Sequence, residues 1–142
     1  MTTTPRRSSA SEAVDDDLAQ RAIGALANSY SPYSRLRVGA ALRAIDGRIF
    51  TGCNVENASF GLTSCAERTA LVKAVSEGAR EFDALAVATD GDRPLMPCGA
   101  CRQMLSEFAP SLRILIASSN AAPREVSLRD LLPHAFGPSD VR

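Results

Sequence analysis

The chain has no tryptophan, one histidine, two tyrosines and five phenylalanines among its 142 residues. So few rings leave little on which to stack splayed bases. The sixteen basic residues are matched by sixteen acidic ones, a formal net charge of zero, so no excess of cations is present to track phosphates. Binding to a nucleic acid polymer needs both features and is not expected. The lone histidine, His134, has no carboxylate pattern near it, so a Ser/His/Asp or Cys/His hydrolase has no specific support and His134 is expected at the surface. No apolar run approaches the roughly 18 to 20 residues that cross a bilayer, and no charged-then-apolar segment opens the chain, so no membrane partner is expected. Arg6-Arg7 is followed by the polar SSASEAVDDD where a twin-arginine export signal needs an apolar stretch. Four cysteines read as reduced thiols serving a metal or a reaction in a cytoplasmic protein, not as a disulfide framework. What remains is a chain of single-domain length, large enough to bury a core without staples, that suits a small neutral partner.

Residues 1–13, MTTTPRRSSASEA, are small and polar and are expected to form a disordered tail, with residues 14–142 as a single domain. Leu18, Ala22, Ile23, Ala25 and Leu26 recur at helical spacing behind three aspartates placed to meet a helix's positive end. SYSPYS ends that helix, because a residue preceding proline is pushed out of the helical region. VGAALRA (38–44) and RIFTGCNVE (48–56) flank an Asp-Gly turn and read as an antiparallel hairpin. A helix from about Cys65 to Glu77 stopped by Gly78 follows, then a strand at 84–89 and a helix from about Cys98 to Phe108. A strand at 112–118 and a helical turn near LRDLLP complete the chain. This order predicts an α/β fold with one mixed β-sheet, its latter part parallel, covered by helices on both faces.

Cys98 and Cys101 form a C-x-x-C pair at a predicted helix start, a spacing shared by metal sites and thioredoxin-like redox centres. Cys65, 33 residues earlier and also at a predicted helix start, can bring a third sulfur. Three sulfurs on zinc leave one tetrahedral position open, as catalytic sites do, whereas a fourth protein ligand closes a structural site. Cys53 is the candidate for such closure. Strand alternation places it with Ile49, Thr51 and Val55 on a mostly apolar face, which predicts a buried core cysteine instead. Glu67 has two readings: with Ser64 it fits a helix-capping box, and beside Cys65 it can be a working acid.

The stretch CNVENASFGLTSCAERTALVKAVSEG, followed by PCGACRQMLSEF and joined by YSPYS, VGAAL and LLPHAFG, resembles the short three-cysteine cytidine deaminases from about Asp17 to Gly137. The resemblance implies a three-layer cytidine deaminase-like sandwich with one Zn²⁺ per subunit held by Cys65, Cys98 and Cys101. It implies hydrolytic attack at C4 of cytidine or 2′-deoxycytidine, releasing ammonia in pyrimidine salvage. Glu67 then takes the water proton and delivers it to N3 and to the departing amine. It further implies that Arg68 offsets the net negative charge of three thiolates on zinc, and that Asn54 and Glu56 hold the ribose hydroxyls. Ala66 and Leu36 line the substrate, and Phe136 packs on the pyrimidine from a neighbouring subunit of a homotetramer with shared sites. Two residues depart from the family's habit: Leu36 stands where phenylalanine is common, and Phe60 where tyrosine is common. The first removes a stacking ring and the second a hydroxyl. A related deaminase of a modified aminopyrimidine nucleoside, of the blasticidin-S deaminase kind, is the nearest alternative. A thiol-disulfide oxidoreductase using Cys98 and Cys101 is the alternative from another class, and it leaves Cys65 and Glu67 unexplained.

Overall fold

A computed structural model describes residues 9–91, 93–117 and 122–141. In chain order they form α1 (Ser9–Ala25), β1 (Val38–Ala44), β2 (Ile49–Cys53), α2 (Ala66–Ser76) and β3 (Phe82–Thr89). Then come α3 (Gly99–Phe108), β4 (Arg113–Ala117), β5 (Arg124–Ser127) and the single turn α4 (Leu128–Leu131). Two of the boundaries follow from glycines in the left-handed region: Gly47, at φ 96°, turns the β1–β2 hairpin, and Gly78, at φ 99°, ends α2.

The strands make one sheet in the order β2-β1-β3-β4-β5. β1 is antiparallel to both β2 and β3, the α3 crossover makes β3 and β4 parallel, and β5 returns antiparallel to β4. The expected mixed sheet is therefore present with one strand more than the sequence reading contained. β5 (REVS) escaped that reading because a short edge strand carrying Arg124 and Glu125 lacks an apolar run.

Alternation divides the core. Leu42, Phe50, Leu85 and Ile114 pack with Leu71 of α2, Leu105 of α3 and Leu128 of α4 on one face. Ala41, Ala84, Ala86 and Leu115 pack with Leu18 and Ala22 of α1 on the other. The three-layer sandwich follows, with α1 and the adjoining Leu26 against a face made largely of alanine. Two glycines let helices approach the sheet this closely: a Cβ at Gly39 would lie 2.1 Å from the Ala22 carbonyl oxygen of α1, and one at Gly52 would lie 2.5 Å from the Ala70 nitrogen of α2.

The N-terminal expectation needs correction. Residues 9–13 of the expected tail are helical, while residues 1–8 lie outside the described residues. Ala10, Ala13 and the first-turn Glu12 suit a helix start, so α1 begins earlier and Asp15 falls within it. Asp15 is buried, 2.7 Å from Arg113 and 3.7 Å from Arg43, and Arg43 also meets Asp83 at 2.9 Å. Its charge pins α1 to the sheet and does not serve a helix terminus.

Candidate active site

α2 and α3 begin on the same side of the sheet, and each takes a cysteine as its N-terminal cap residue. Cys65 and Cys98 have extended backbones there, and neither helix has a side-chain hydrogen bond at its cap. The first-turn N–H groups of both helices are thus left to favour thiolates. Cys101 is the third residue of α3, in its first turn, and is buried. The Sγ atoms of Cys98 and Cys101 are 3.5 Å apart, those of Cys65 and Cys98 are 3.9 Å apart, and all three lie within 4.8 Å of one another. Zn–S bonds of about 2.3 Å in a tetrahedron require sulfurs about 3.8 Å apart, so this donor set fits the metal.

The charges fit as well. Cys65 is drawn down to about 5 by the hydrogen bond from Cys101, with Arg68 and Cys98 adding to the effect. Cys101 is pushed the other way by its bond to Cys65 and by burial. One thiolate thus suppresses ionisation of its neighbour, a conflict that a divalent cation removes. The Arg68 Nη2 donates to the Thr63 carbonyl at 3.0 Å and to Cys65 Sγ at 3.6 Å, which raises the guanidinium further above its ordinary range. Its Nε is buried without a hydrogen-bond partner among the described residues.

Cys53 does not join the three-sulfur cluster. It pairs across the hairpin with Gly39, whose missing side chain faces α1, and it shares the face of Ile49, which packs in the α1 cluster. It is therefore directed to the opposite side of the sheet from α2 and α3. The expected core position is also corrected: Cys53 is half-buried, and the fully buried side of β2 is that of Phe50 and Gly52.

Glu67 lies in the first turn of α2 and is 5 % exposed. Burial raises its pKa, and the charge of Cys65 acts in the same direction. The capping-box alternative fails, because Ser64 Oγ bonds to Thr69 Oγ1 at 3.0 Å and no side chain caps α2. Ala66, beside it, is fully buried and can offer a ligand only its backbone.

Asn54 and Glu56 lie just past β2, both buried. Their backbone is held on two sides: Tyr30 N–H donates to the Asn54 carbonyl at 3.0 Å and Glu56 N–H to the Tyr30 carbonyl at 2.8 Å. Val55 and Ser64 exchange two bonds of 2.9 Å. The ladder sets this segment directly against the residue preceding Cys65. Asn54 Oδ1 accepts from Val38 N–H at 2.9 Å and from the Ser29 hydroxyl, and Nδ2 donates to the Leu36 carbonyl at 2.8 Å. Leu36 is itself half-buried beside it. The bond from Ser29 in this wiring was not read from the sequence, where SYSPYS signalled a helix stop and part of the family resemblance.

Phe136 lies outside the core, 60 % exposed, with its carbonyl accepting from Gln103 Nε2 at 2.9 Å. Phe60 is 73 % exposed and meets Tyr33 edge-on with ring centroids 5.7 Å apart. His134 is exposed, as expected, and adopts φ 54°.

Residues 12–117 match the family model described as the cytidine and deoxycytidylate deaminase zinc-binding region. The chain belongs to that family. It is 48 % identical over 125 residues to a cytidine deaminase of Halalkalibacterium halodurans, covering 87 % of this chain and 95 % of that protein. It is likewise 48 % identical over 117 residues to one of Mycobacterium tuberculosis, covering 82 % and 85 %. A crystal structure of cytidine deaminase from Burkholderia pseudomallei superposes with a TM-score of 0.81 at 47 % identity, covering 85 % of this chain and 98 % of that one. As a zinc-binding member of a family of deaminating hydrolases, the chain carries in Cys65, Cys98 and Cys101 a cluster suited to the ion.

Proposed function

We propose that this deaminase-family chain hydrolyses cytidine and 2′-deoxycytidine to uridine and 2′-deoxyuridine with release of ammonia. The observation that carries the reading is a buried carboxyl, Glu67, two residues from Cys65 and raised in pKa beside a three-sulfur cluster. When bound, zinc supplies Lewis-acid activation of water near neutral pH. Glu67 does the proton work: as a carboxylate it takes the proton of the attacking water, and as an acid it gives a proton to N3 and then to the leaving amine. Burial moves its pKa towards the range in which both transfers are efficient. Arg68 offsets thiolate charge through Cys65, keeping the cluster from becoming too anionic to activate water.

Asn54 and Glu56 are assigned to the sugar hydroxyls, the backbone of Ala66 and the side chain of Leu36 to the base, and Phe136 to the base in a neighbouring copy. Support for the last comes from its exposure and from further exposed apolar side chains, Tyr30, Tyr33, Phe60 and Leu62. A homotetramer with shared sites accommodates them. No helix among the described residues is long and apolar enough to cross a membrane. Four free thiols, three of them clustered, suit a reducing cytoplasm and a salvage role there.

Chromatographic conversion of cytidine and 2′-deoxycytidine by the zinc-loaded protein tests the reading, with Glu67→Gln as control. Uridine formation is expected to fall at least about a hundredfold in the control, the scale of a lost general acid–base group. Failure to convert either nucleoside with zinc bound overturns the substrate assignment.

A further inference from the structure

The loop between α1 and β1 carries a device whose product is the placement of one carboxylate. Glu56 Oε1 accepts two backbone donors, Tyr33 N–H at 2.9 Å and Ser34 N–H at 3.1 Å, and Oε2 accepts the Ser34 hydroxyl. The serine oxygen in turn accepts Leu36 N–H at 3.1 Å, which directs its own proton towards Glu56. That return of the chain requires Arg35 to stand at φ 60°, a left-handed conformation uncommon for a non-glycine residue, closed by Arg35 N–H on the Ser31 carbonyl at 3.0 Å. Tyr33, Ser34 and Arg35 are all exposed while Glu56 is buried, and it is hydrogen bonds from the loop that reach the carboxylate.

We infer that Ser34 is a positioning residue for nucleoside recognition: its hydroxyl and the adjoining amides fix Glu56 as an acceptor-only group aimed at the sugar hydroxyls. Three donors on two oxygens fix the orientation of the carboxylate and leave lone pairs on Oε2 for an incoming hydroxyl. The same bonds, that of the Ser34 hydroxyl first, hold the Glu56 carboxyl below the ordinary carboxylate range, consistent with a group that serves only as an acceptor. The Tyr30 clamp on Glu56 N–H fixes the main chain from the other side, so the bonds from Ser34, with that from Tyr33 N–H, act on the side-chain torsions. The inference rests on the assignment of Glu56 to the sugar.

The test compares Ser34→Ala, Ser34→Thr and Glu56→Ala, each loaded with zinc. The KM for cytidine and the inhibition constant of 2′,3′-dideoxycytidine, which lacks both ring hydroxyls, are measured for each. Ser34→Ala is expected to raise the KM for cytidine about tenfold, the loss expected for one hydrogen bond to a charged group, with the larger share of the effect in KM and not in kcat. The dideoxy constant moves less than about twofold, and Ser34→Thr, which keeps the hydroxyl, restores the discrimination. If Ser34→Ala keeps the discrimination that Glu56→Ala loses, positioning by Ser34 is refuted and the sugar assignment stands. If both variants keep it, the sugar assignment itself falls and the inference falls with it. Equal loss for cytidine and its dideoxy analogue marks a general structural role and also refutes the inference.

Discussion

One methyl group added to β2, in Gly52→Ala, is expected to impair the reaction by moving α2, without touching substrate. The new Cβ would lie 2.5 Å from the Ala70 nitrogen and 2.6 Å from the Ala66 carbonyl oxygen, both backbone atoms that no rotamer change can clear. Ordinary contact for such atoms is about 3.5 Å, so the first turns of α2 must retreat by about 1 Å. Overpacking of this kind costs about 1–3 kcal/mol of stability. The retreat carries Cys65 and Glu67 with it, since they flank Ala66, and a 1 Å misplacement of reacting groups costs about a hundredfold in rate. Gly39→Ala is the matched control: its Cβ would lie 2.1 Å from the Ala22 carbonyl oxygen, an even closer clash, but on the α1 face. Urea denaturation gives the stability of each variant, and initial deamination rates are normalised to folded, zinc-loaded protein. Both variants are expected to unfold at lower urea, and only Gly52→Ala to lose about a hundredfold in rate. Equal rate losses in the two, or a Gly52→Ala enzyme as fast as the parent, refute the claim that the β2–α2 contact sets the site.

Removing the buried aspartate should separate stability from chemistry in the same way. Asp15→Ala removes one carboxylate from Arg43, which keeps Asp83, and one from Arg113, and is expected to cost about 1–3 kcal/mol in denaturant unfolding while the rate of folded protein is kept. Cys98→Ser should lower zinc below one ion per chain by elemental analysis, and the parent stripped by a chelator should melt at lower temperature and recover on zinc addition. Phe136→Ala is expected to raise the KM for cytidine by about 2- to 12-fold, the worth of one aromatic contact. Mixed with Glu67→Gln protein and allowed to exchange subunits, it should regain rate if the ring serves a neighbouring copy; additive rates at every mixing ratio refute sharing.

The sequence by itself determined what depends on neighbours along the chain. Asp46-Gly47 marked the hairpin because a tight turn needs a positive φ, and Gly78 marked the end of α2 for the same reason. Helical periodicity found the buried stripe of Leu18, Ala22 and Leu26, and the cysteine spacing singled out three sulfurs that the fold brings together in a cluster able to hold a metal ion. Tertiary structure decided which partners those residues meet. Alternation along β2 showed that Cys53 and Asn54 face opposite ways, but only the packing of α2 on Gly52 showed which side is more deeply buried. Asp15 looked like a helix-terminal charge until Arg43 and Arg113, distant in sequence, were found around it. β5 exists because β4 offers it a paired edge, not because REVS has strand character of its own. The bonds from Ser34 to Glu56 span 22 residues, and Cys65 meets Cys98 across 33. Local patterns specify backbone torsions and which side of an element is apolar. Contacts between distant segments depend on how the sheet orders its strands and on how closely each helix can approach them.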